Sequence, residues 1–469
     1  MCMVRLWALL VCAEAVLASI LRHHDFTVTL LDSIIEDVRI YVYRPPPHLE
    51  KALELDAPPQ KPFFHYARLE TSFLAGLRNL SAAGHGRFVD DPLQADCFWV
   101  PHTLHAHWYR QPMKYWHTAL QPWFEHIVYE LPYFNASRGH NHLFPWVEDN
   151  GLVCDDNRLP YFKLPAFRRT VDPMILVTYN GVHDRTGDRQ ILHPTKFRRH
   201  CFNLGHDITM PQWNSFHLRK GLPTTNWPAF LALKAMSRHN MHYRGIFRAA
   251  GLCSKRVRPW FHGWCRCELT IGRRLWITPG HRVPIRRACG CPKGSLATSI
   301  FAPCPAGNGC WSLRFFDAID RLAIPIILAD GIIEPFEQWL DYSAFSAKVL
   351  TITMARQHWN TTSERMDALM HAAESFRRAC SPSPRVHQLF NCGSGKLNAT
   401  SSLACQRARA AAYQELRPVD EKKCLAHPLS RKLEAVAAIR PWLSFDAAAP
   451  RNAYKLFLLE LYCRIPGPK

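Results

Sequence analysis

Acidic residues are scarce in this chain of 469: 38 Asp and Glu stand against 58 Lys and Arg, giving a formal charge of +20 and a pI near 9.4. An imbalance of this size points to an anionic partner: a nucleotide, an acidic polysaccharide, nucleic acid or a membrane surface. The patterns that would single out nucleic acid are missing, since there is no zinc-finger spacing, RNA-binding signature or basic zipper. No uninterrupted apolar run reaches the roughly 20 residues needed to cross a bilayer. No D-x-D triplet occurs. The closest cysteine pairs, Cys265-x-Cys267 and Cys289-x-Cys291, are more tightly spaced than the usual zinc-ligand C-x(2-4)-C. They read as disulfide partners or free thiols rather than as metal ligands.

What is present suits a globular, multi-domain protein. Hydrophobic residues make up 48 % of the chain, with 15 Trp and 26 Phe, enough for two or three buried cores. Seventeen cysteines fit an oxidising compartment, and their odd number leaves at least one thiol unpaired. Met1 to Ser19 carries Arg5, an apolar core from Leu6 to Leu17 broken by Glu14, and small residues at Val16-Leu17-Ala18. That is the layout of a secretory signal, with a short signal anchor as the alternative. Four N-x-S/T sequons, at Asn79, Asn135, Asn360 and Asn398, are compatible with a luminal location.

The stretch whose spacing carries chemistry runs from Ser299 to Leu350. An apolar run, Ser299 to Ala302, gives way to Pro303, Pro305, Gly307 and Gly309, which reads as a strand and a tight loop. Ser312 is placed to cap a helix in which Phe315, Ile319 and Leu322 form a buried stripe, while Arg314, Asp317 and Arg321 share another side. Ile324 to Asp330 is an apolar run of strand length without alternation, as in a parallel strand covered on both faces. The unit is βαβ. A helix start after a glycine loop offers free N–H groups and a partial positive charge, which suits a phosphate. Ser312 and Arg314 can add donors there, and Asp317 can accept from a ribose diol. The same spacing also suits a plain cap and a surface ion pair.

The pattern S-x-F-x-P-x-P-x-G, S-x-R-x-x-D-A-I, I-P-I-I-x-x-D-x-x-x-x-P-F-E and L-D-Y-x-x-F-S, in that order over about fifty residues, resembles the exostosin-like glycosyltransferases. That family includes heparan sulfate polymerases and plant and algal cell-wall transferases. The resemblance implies a GT-B fold: α/β, with two Rossmann-like domains facing across a cleft. It also implies inverting transfer from a nucleotide sugar. On the family pattern the donor-binding residues are Ser312, Arg314, Asp317 and Gly309, with Glu337 as the acid of P-F-E.

Further stretches follow in chain order, several of them on the family pattern. Val38 to Tyr43 is an opening strand stopped by prolines, Phe63 to Ala83 an amphipathic helix, and DDPLQADCFWVP reproduces D-P-x-x-A-D-x-F-x-V-P before a strand at Cys97 to Val100. His102, His105 and His107 follow it; a metal cluster and ordinary solvated or sugar-stacking loop residues are the alternatives there. Tyr115 to Leu131 is a second helix. Gly139, His142, Asp149 and Gly151 then match the family, with Asn141 where it has Asp. An inverting transfer needs a general base within about 3 Å of the acceptor hydroxyl, and Asp149 and His142 are the catalytic candidates, the competing view being that they only order the loop. Met174 to Thr178 is a further strand. The donor domain's first strand resembles Tyr243 to Gly251, although Leu252 and Cys253 occupy the loop where the family presents an Arg.

The expected organisation is a signal or short anchor at 1–19, an acceptor domain at 36–238, a nucleotide-sugar domain at 239–380, an unmatched insert at 381–440 and a closing helix at 441–469. The expected partners are a nucleotide sugar, UDP-linked in the first instance, and a glycan or glycoprotein acceptor, with no nucleic acid, no required cofactor and no metal. The expected setting is the Golgi lumen or membrane, and the N-terminal segment is the candidate anchor. A non-catalytic carbohydrate-binding relative and a basic protein that coats acidic polysaccharide are the alternatives in function.

Overall fold

The computed structural model describes residues 24–53, 55, 68–104, 112–146, 164–179, 181–182, 202–212, 229–231, 299–305, 313–320, 322–328, 332–348, 368, 371–372, 375 and 426–465. Asp149, Gly309, Ser312, His105, His107, the N-terminal segment 1–19, the paired cysteines of 265–291 and the strand expected at 243–251 lie outside them.

Six strands form a parallel sheet: β1 (Arg39–Val42), β2 (Arg87–Phe88), β3 (Cys97–Trp99), β4 (His142–Trp146), β5 (Ile175–Thr178) and β7 (Ile208–Thr209), in the order β2-β1-β3-β4-β5-β7. Side chains alternate between its faces, as the strand period of two requires. Ile40, Cys97, Trp99, Leu143, Ile175 and Val177 enter one core, while Tyr43, Phe98, Val100, Phe144 and Leu176 enter another. Both faces are covered, which explains apolar runs such as VRIYVY. The sheet corner is tied by charge. Arg39 donates from Nε and Nη2 to Asp96, at 3.0 and 2.8 Å, and its backbone N–H donates to the same carboxylate. Asp91 caps the short turn Pro92–Gln94. Both acids of D-P-x-x-A-D are thus structural.

On the second face lies α4 (112–130), preceded by α2 (Pro47–Leu53) and α3 (Arg68–Ala82). Two turns of α4, Trp116–Leu120 and His126–Glu130, are π-helical, which helical periodicity alone does not disclose. Pro122 gives a physical reason for the first, because it supplies no N–H and its ring crowds the carbonyl four residues back, which a wider turn relieves. The helix α5 (Pro132–Ser137) leads into β4.

A second parallel sheet has the order β12-β10-β9-β8, built from β8 (Ala229–Leu231), β9 (Ser299–Pro305), β10 (Ile324–Leu328) and β12 (Ala347–Lys348). The strand β9 runs past the expected stop at Ala302, through Pro303 and Pro305, paired to β10 as far as Leu328. Two prolines two residues apart place their missing donors on one edge, and β8 pairs only as far as Phe301. The helix α7 (Leu313–Asp320) follows α6 (Pro165–Val171) in chain order and crosses between β9 and β10. It ends earlier than the stripe implies. Leu322 is left-handed with φ 54°, and Leu322 and Ala323 donate to the carbonyls of Ile319 and Ala318, a Schellman cap.

The sheets meet in two places. The antiparallel pair β6 (Gly181–Val182) and β11 (Ile332–Ile333) joins the segments after β5 and β10. A Cβ on Gly181 would stand 2.7 Å from that of Ile333, so this approach needs glycine. The other contact is the C-terminal helix α10 (Ala453–Arg464), which follows α8 (Tyr342–Phe345) and α9 (Pro428–Ile439). Helix α9 falls within the stretch that the family pattern leaves unmatched. Residues Ala453 to Leu461 of α10 are buried without a break, so the helix has no solvent face along that length. It packs on α3 and on α1 (His24–Ile35). Phe73 of α3 meets Tyr454, Phe457 and Trp99 at 5.0–5.7 Å between ring centroids. From α10, Lys455 Nζ donates to Asp32 of α1 at 2.6 Å. The loops expected to face each other across a cleft fall partly in segments outside the described residues; the two parallel sheets themselves make a mixed α/β fold.

Two histidines are enclosed on the second face of this sheet, His142 as the first residue of β4 and His102 just beyond the carboxyl end of β3. His142 is stacked on Phe98 at 4.9 Å and Tyr43 at 5.5 Å, with the Tyr43 hydroxyl 2.7 Å from its Nε2. His102 lies on Phe144 and accepts from the Leu104 N–H. Burial pushes both pKa values down to about 3. In the unfolded chain a histidine titrates near 6.5, so each folded value is depressed. The stability they contribute is complete above about pH 6.5 and is lost as pH falls toward 3, on the order of 5 kcal/mol per group.

Two outcomes are expected. In an ordinary helix Gly→Ala gains about 1 kcal/mol. A Cβ at Gly76 of α3 would instead overlap the Tyr454 hydroxyl oxygen, so Gly76→Ala should lower the melting temperature by the equivalent of about 2 kcal/mol; an unchanged or higher value would refute the close α3–α10 contact. In denaturant titrations between about pH 4 and 6.5, the parent should gain stability with pH faster than His142→Phe, which keeps a stacked ring and loses the titration. Parallel curves would contradict the enclosed, neutral imidazole.

Candidate functional site

The strand order reverses between β1 and β3, the place where open parallel sheets put ligands beyond their carboxyl ends. Tyr43 and His102 follow β1 and β3 there, whereas His142 is the first residue of β4, at that strand's amino end; all three are buried. His102 is fully enclosed, 3.9 Å from the equally buried Glu70, which corrects the expectation of a solvated loop histidine. Among the described residues no group of three or more His, Cys, Asp or Glu is arranged to hold a metal ion.

His142, one of the two base candidates, has both ring nitrogens engaged. Besides the Tyr43 hydroxyl on Nε2, its Nδ1 lies 3.0 Å from the Asn141 Oδ1. With no exposed surface it offers no lone pair to an acceptor hydroxyl. In this arrangement it orders the sheet edge, which was the competing view of its role. Asn141 explains its own departure from the family pattern. Its amide Nδ2 donates to the Asp96 carbonyl at 3.1 Å while Oδ1 faces the histidine. A carboxylate there could accept but could not donate. Of the base candidates, Asp149 remains, beyond the described residues.

Of the residues expected on the donor side, Arg314 and Asp317 belong to α7. Ser312 immediately precedes the helix, and Arg314 and Asp317 occupy its first turns, three residues apart and so on neighbouring positions of one side. Because α7 runs from the carboxyl end of β9 back to β10, its amino end stands at the carboxyl edge of the second sheet, where backbone N–H groups are left without helical partners. Phe315, beside Arg314, stacks on Tyr342 at 5.7 Å. The Tyr342 hydroxyl donates to the Pro335 carbonyl at 2.8 Å, fastening α7 to the P-F-E turn.

That turn is tight. Phe336 has φ 55°, a left-handed conformation uncommon for a bulky residue. The N–H groups of Trp339 and Leu340 both donate to its carbonyl. Glu337 accepts from the Glu334 N–H at 3.1 Å and is half-buried, so part of its carboxylate closes the turn that presents it. Glu334 itself is buried. On the other side, the Trp339 indole N–H donates to Glu460 of α10 at 2.9 Å. This contact spans 121 residues and has no signal in either local sequence. Backbone strain held by surrounding contacts in this way is common at functional sites.

A family model, the Exostosin GT47 domain, matches residues 35–361. Among curated proteins the chain is similar to the probable glucuronoxylan glucuronosyltransferase IRX7 of Arabidopsis thaliana, 24% identical over 325 residues that cover 66% of this chain and 64% of that protein. It is also similar to a second probable glucuronoxylan glucuronosyltransferase of the same plant, 22% identical over 266 residues, 55% of this chain and 51% of that protein. The chain thus spans between half and two thirds of the length of these relatives. The family match runs from just before β1 to beyond β12 and takes in Asp149, Ser312, Arg314, Asp317 and Glu337. With well over half of its length matched, the chain belongs to the exostosin GT47 family.

Proposed function

We propose that this chain is a glycosyltransferase of the secretory pathway that moves a sugar from a nucleotide-sugar donor to a polysaccharide or glycoprotein acceptor, inverting the anomeric centre. The observation that carries the reading is the β9–α7–β10 unit inside the family match, with Ser312, Arg314 and Asp317 in order at one helix start. The printed names of the two plant relatives, glucuronosyltransferases acting on glucuronoxylan, favour a UDP-linked donor and a xylan-like acceptor.

In this reading the donor diphosphate lies at the amino end of α7, where helix N–H groups are free and the Ser312 hydroxyl and Arg314 guanidinium supply further donors. Asp317 accepts from the ribose hydroxyls, and Glu337 borders the same place from its turn. Asp149 takes the proton of the acceptor hydroxyl, whose oxygen attacks C1 from the face opposite the diphosphate. The new C1–O bond forms as the C1–O bond to phosphate breaks, and the bonding pair leaves with the diphosphate. The fixed dipoles and Arg314 offset the charge that develops there.

Purified protein should show a higher melting temperature with UDP or a UDP-sugar, because a ligand bound only by the folded state stabilises it. Arg314→Ala and Asp317→Ala should each remove most of that rise while leaving the unliganded melting temperature within about 2 °C of the parent. Incubation with UDP-glucuronic acid and xylan oligosaccharides should release UDP. Glycan binding without consumption of any nucleotide sugar would favour a carbohydrate-binding relative. Equal shifts in parent and Asp317→Ala would remove the donor assignment.

A further inference from the structure

Glu460 has no part in the chemistry above, yet it is among the most enclosed charged groups described. It lies on α10 at 2% exposure. Its Oε1 accepts from the Trp339 indole at 2.9 Å, and its Oε2 stands 2.6 Å from Arg464 Nη2, one turn on, as an ion pair rather than an aligned hydrogen bond. The Gln338 side chain also bonds to it. Burial raises its pKa to about 7 against the pull of these partners. Isolated buried carboxylates are costly and persist where their geometry is well determined. Here two of the three partners, Gln338 and Trp339, are the residues immediately after Glu337.

We propose that Glu460 is a positioning residue for the donor site: through the Trp339 indole, α10 fixes the P-F-E turn and so sets where Glu337 stands. The proposal rests on the donor-site reading of Glu337. The turn needs such an anchor. Phe336 is held left-handed, and its neighbours are fastened at three points: by β11 pairing with β6, by the Tyr342 hydroxyl on Pro335, and by Glu460 on Trp339. The first two hold the residues before Glu337. The Glu460 carboxylate holds those after it. Releasing it removes the one side-chain hydrogen bond described from Trp339 to another element and leaves the residues just after Glu337 to backbone bonds and apolar packing, so Glu337 gains freedom that must be lost again when nucleotide binds.

The test measures UDP binding by calorimetry in parent, Trp339→Phe, Glu460→Met and Glu460→Gln, and repeats Trp339→Phe in a Glu337→Gln background. Trp339→Phe and Glu460→Met should each weaken UDP binding roughly tenfold, and Glu460→Gln, whose amide oxygen still accepts from the indole, should stay within about twofold of the parent. In the Glu337→Gln background the effect of Trp339→Phe should largely vanish, since residues acting through one another are not additive. A merely structural role would lower the melting temperature of all these variants and leave UDP affinity unchanged in those that fold, or give additive effects; either result overturns the proposal. Asp317→Ala is the control that separates the two readings. If it abolishes UDP binding while Trp339→Phe does not change it, the donor site stands and the positioning role falls. If the parent binds no UDP, both fall.

Discussion

Burying a helix on all sides, charges included, is the constraint on which the rest of this structure depends. A helix with no wet face must find a partner for every polar group it carries. The charged groups in the buried stretch of α10 are Lys455 and Glu460, and their partners include residues on different parts of the chain: Asp32 on α1, beside the first sheet, and Trp339 on the turn that leads out of the second. The apolar residues between them, Leu456 to Leu459, fill the space between the layers. Full burial of such side chains is worth about 1.5–3 kcal/mol each, which offsets the cost of desolvating two paired charges. The result is directional. Apolar packing alone would allow α10 to slide or rotate, whereas the two polar contacts admit one placement.

That placement explains why Gly76 and Gly181 stand where they do. Each is a point where two segments come closer than any side chain permits, at the Tyr454 ring and at Ile333. The first sets the distance between α3 and α10, the second the distance between the segments after β5 and β10. With both fixed, the carboxyl edges of the two sheets share a joint, and the P-F-E turn hangs directly from it. The strain at Phe336 is then held by its surroundings rather than by its own sequence.

The sequence discloses what depends on near neighbours. The opening strand, the βαβ order around α7 and the continuous apolar strand β10 follow from periodicity and punctuation, and the closing helix from the family resemblance. The misses share one cause: long-range partners override local rules. Pro303 and Pro305 read as a stop, yet β10 offers a parallel partner through Leu328 and the strand continues. Leu322 reads as part of a stripe, yet it turns left-handed to cap α7 because Ala323 must enter β10's side of the core. His102 reads as a loop residue because nothing nearby in the sequence announces Glu70, 32 positions earlier, or the Phe144 ring. Of the candidate site, the order Ser312, Arg314, Asp317 and Glu337 is legible in the sequence as an expectation, and the Trp339–Glu460 contact is not.

The family motifs divide by what their residues touch. In the first half, Asp91 caps a turn, Asp96 holds Arg39, and Asn141 and His142 complete a stack with Tyr43 and Phe98. These residues would be kept by any chain that needs this sheet, whether or not it transfers sugar, so their match speaks for the fold. The substitution of Asn for Asp at position 141 loses nothing chemical, because the position bonds to a carbonyl and an imidazole rather than to a substrate. In the second half, by contrast, Arg314 and Asp317 stand at a helix start at the carboxyl edge of a parallel sheet, beside a strained turn that the distant Glu460 helps to hold in place. Function is therefore to be sought at α7 and the P-F-E turn, which Phe315, Tyr342 and Pro335 fasten to each other, while the buried polar network around α10 holds the turn from behind.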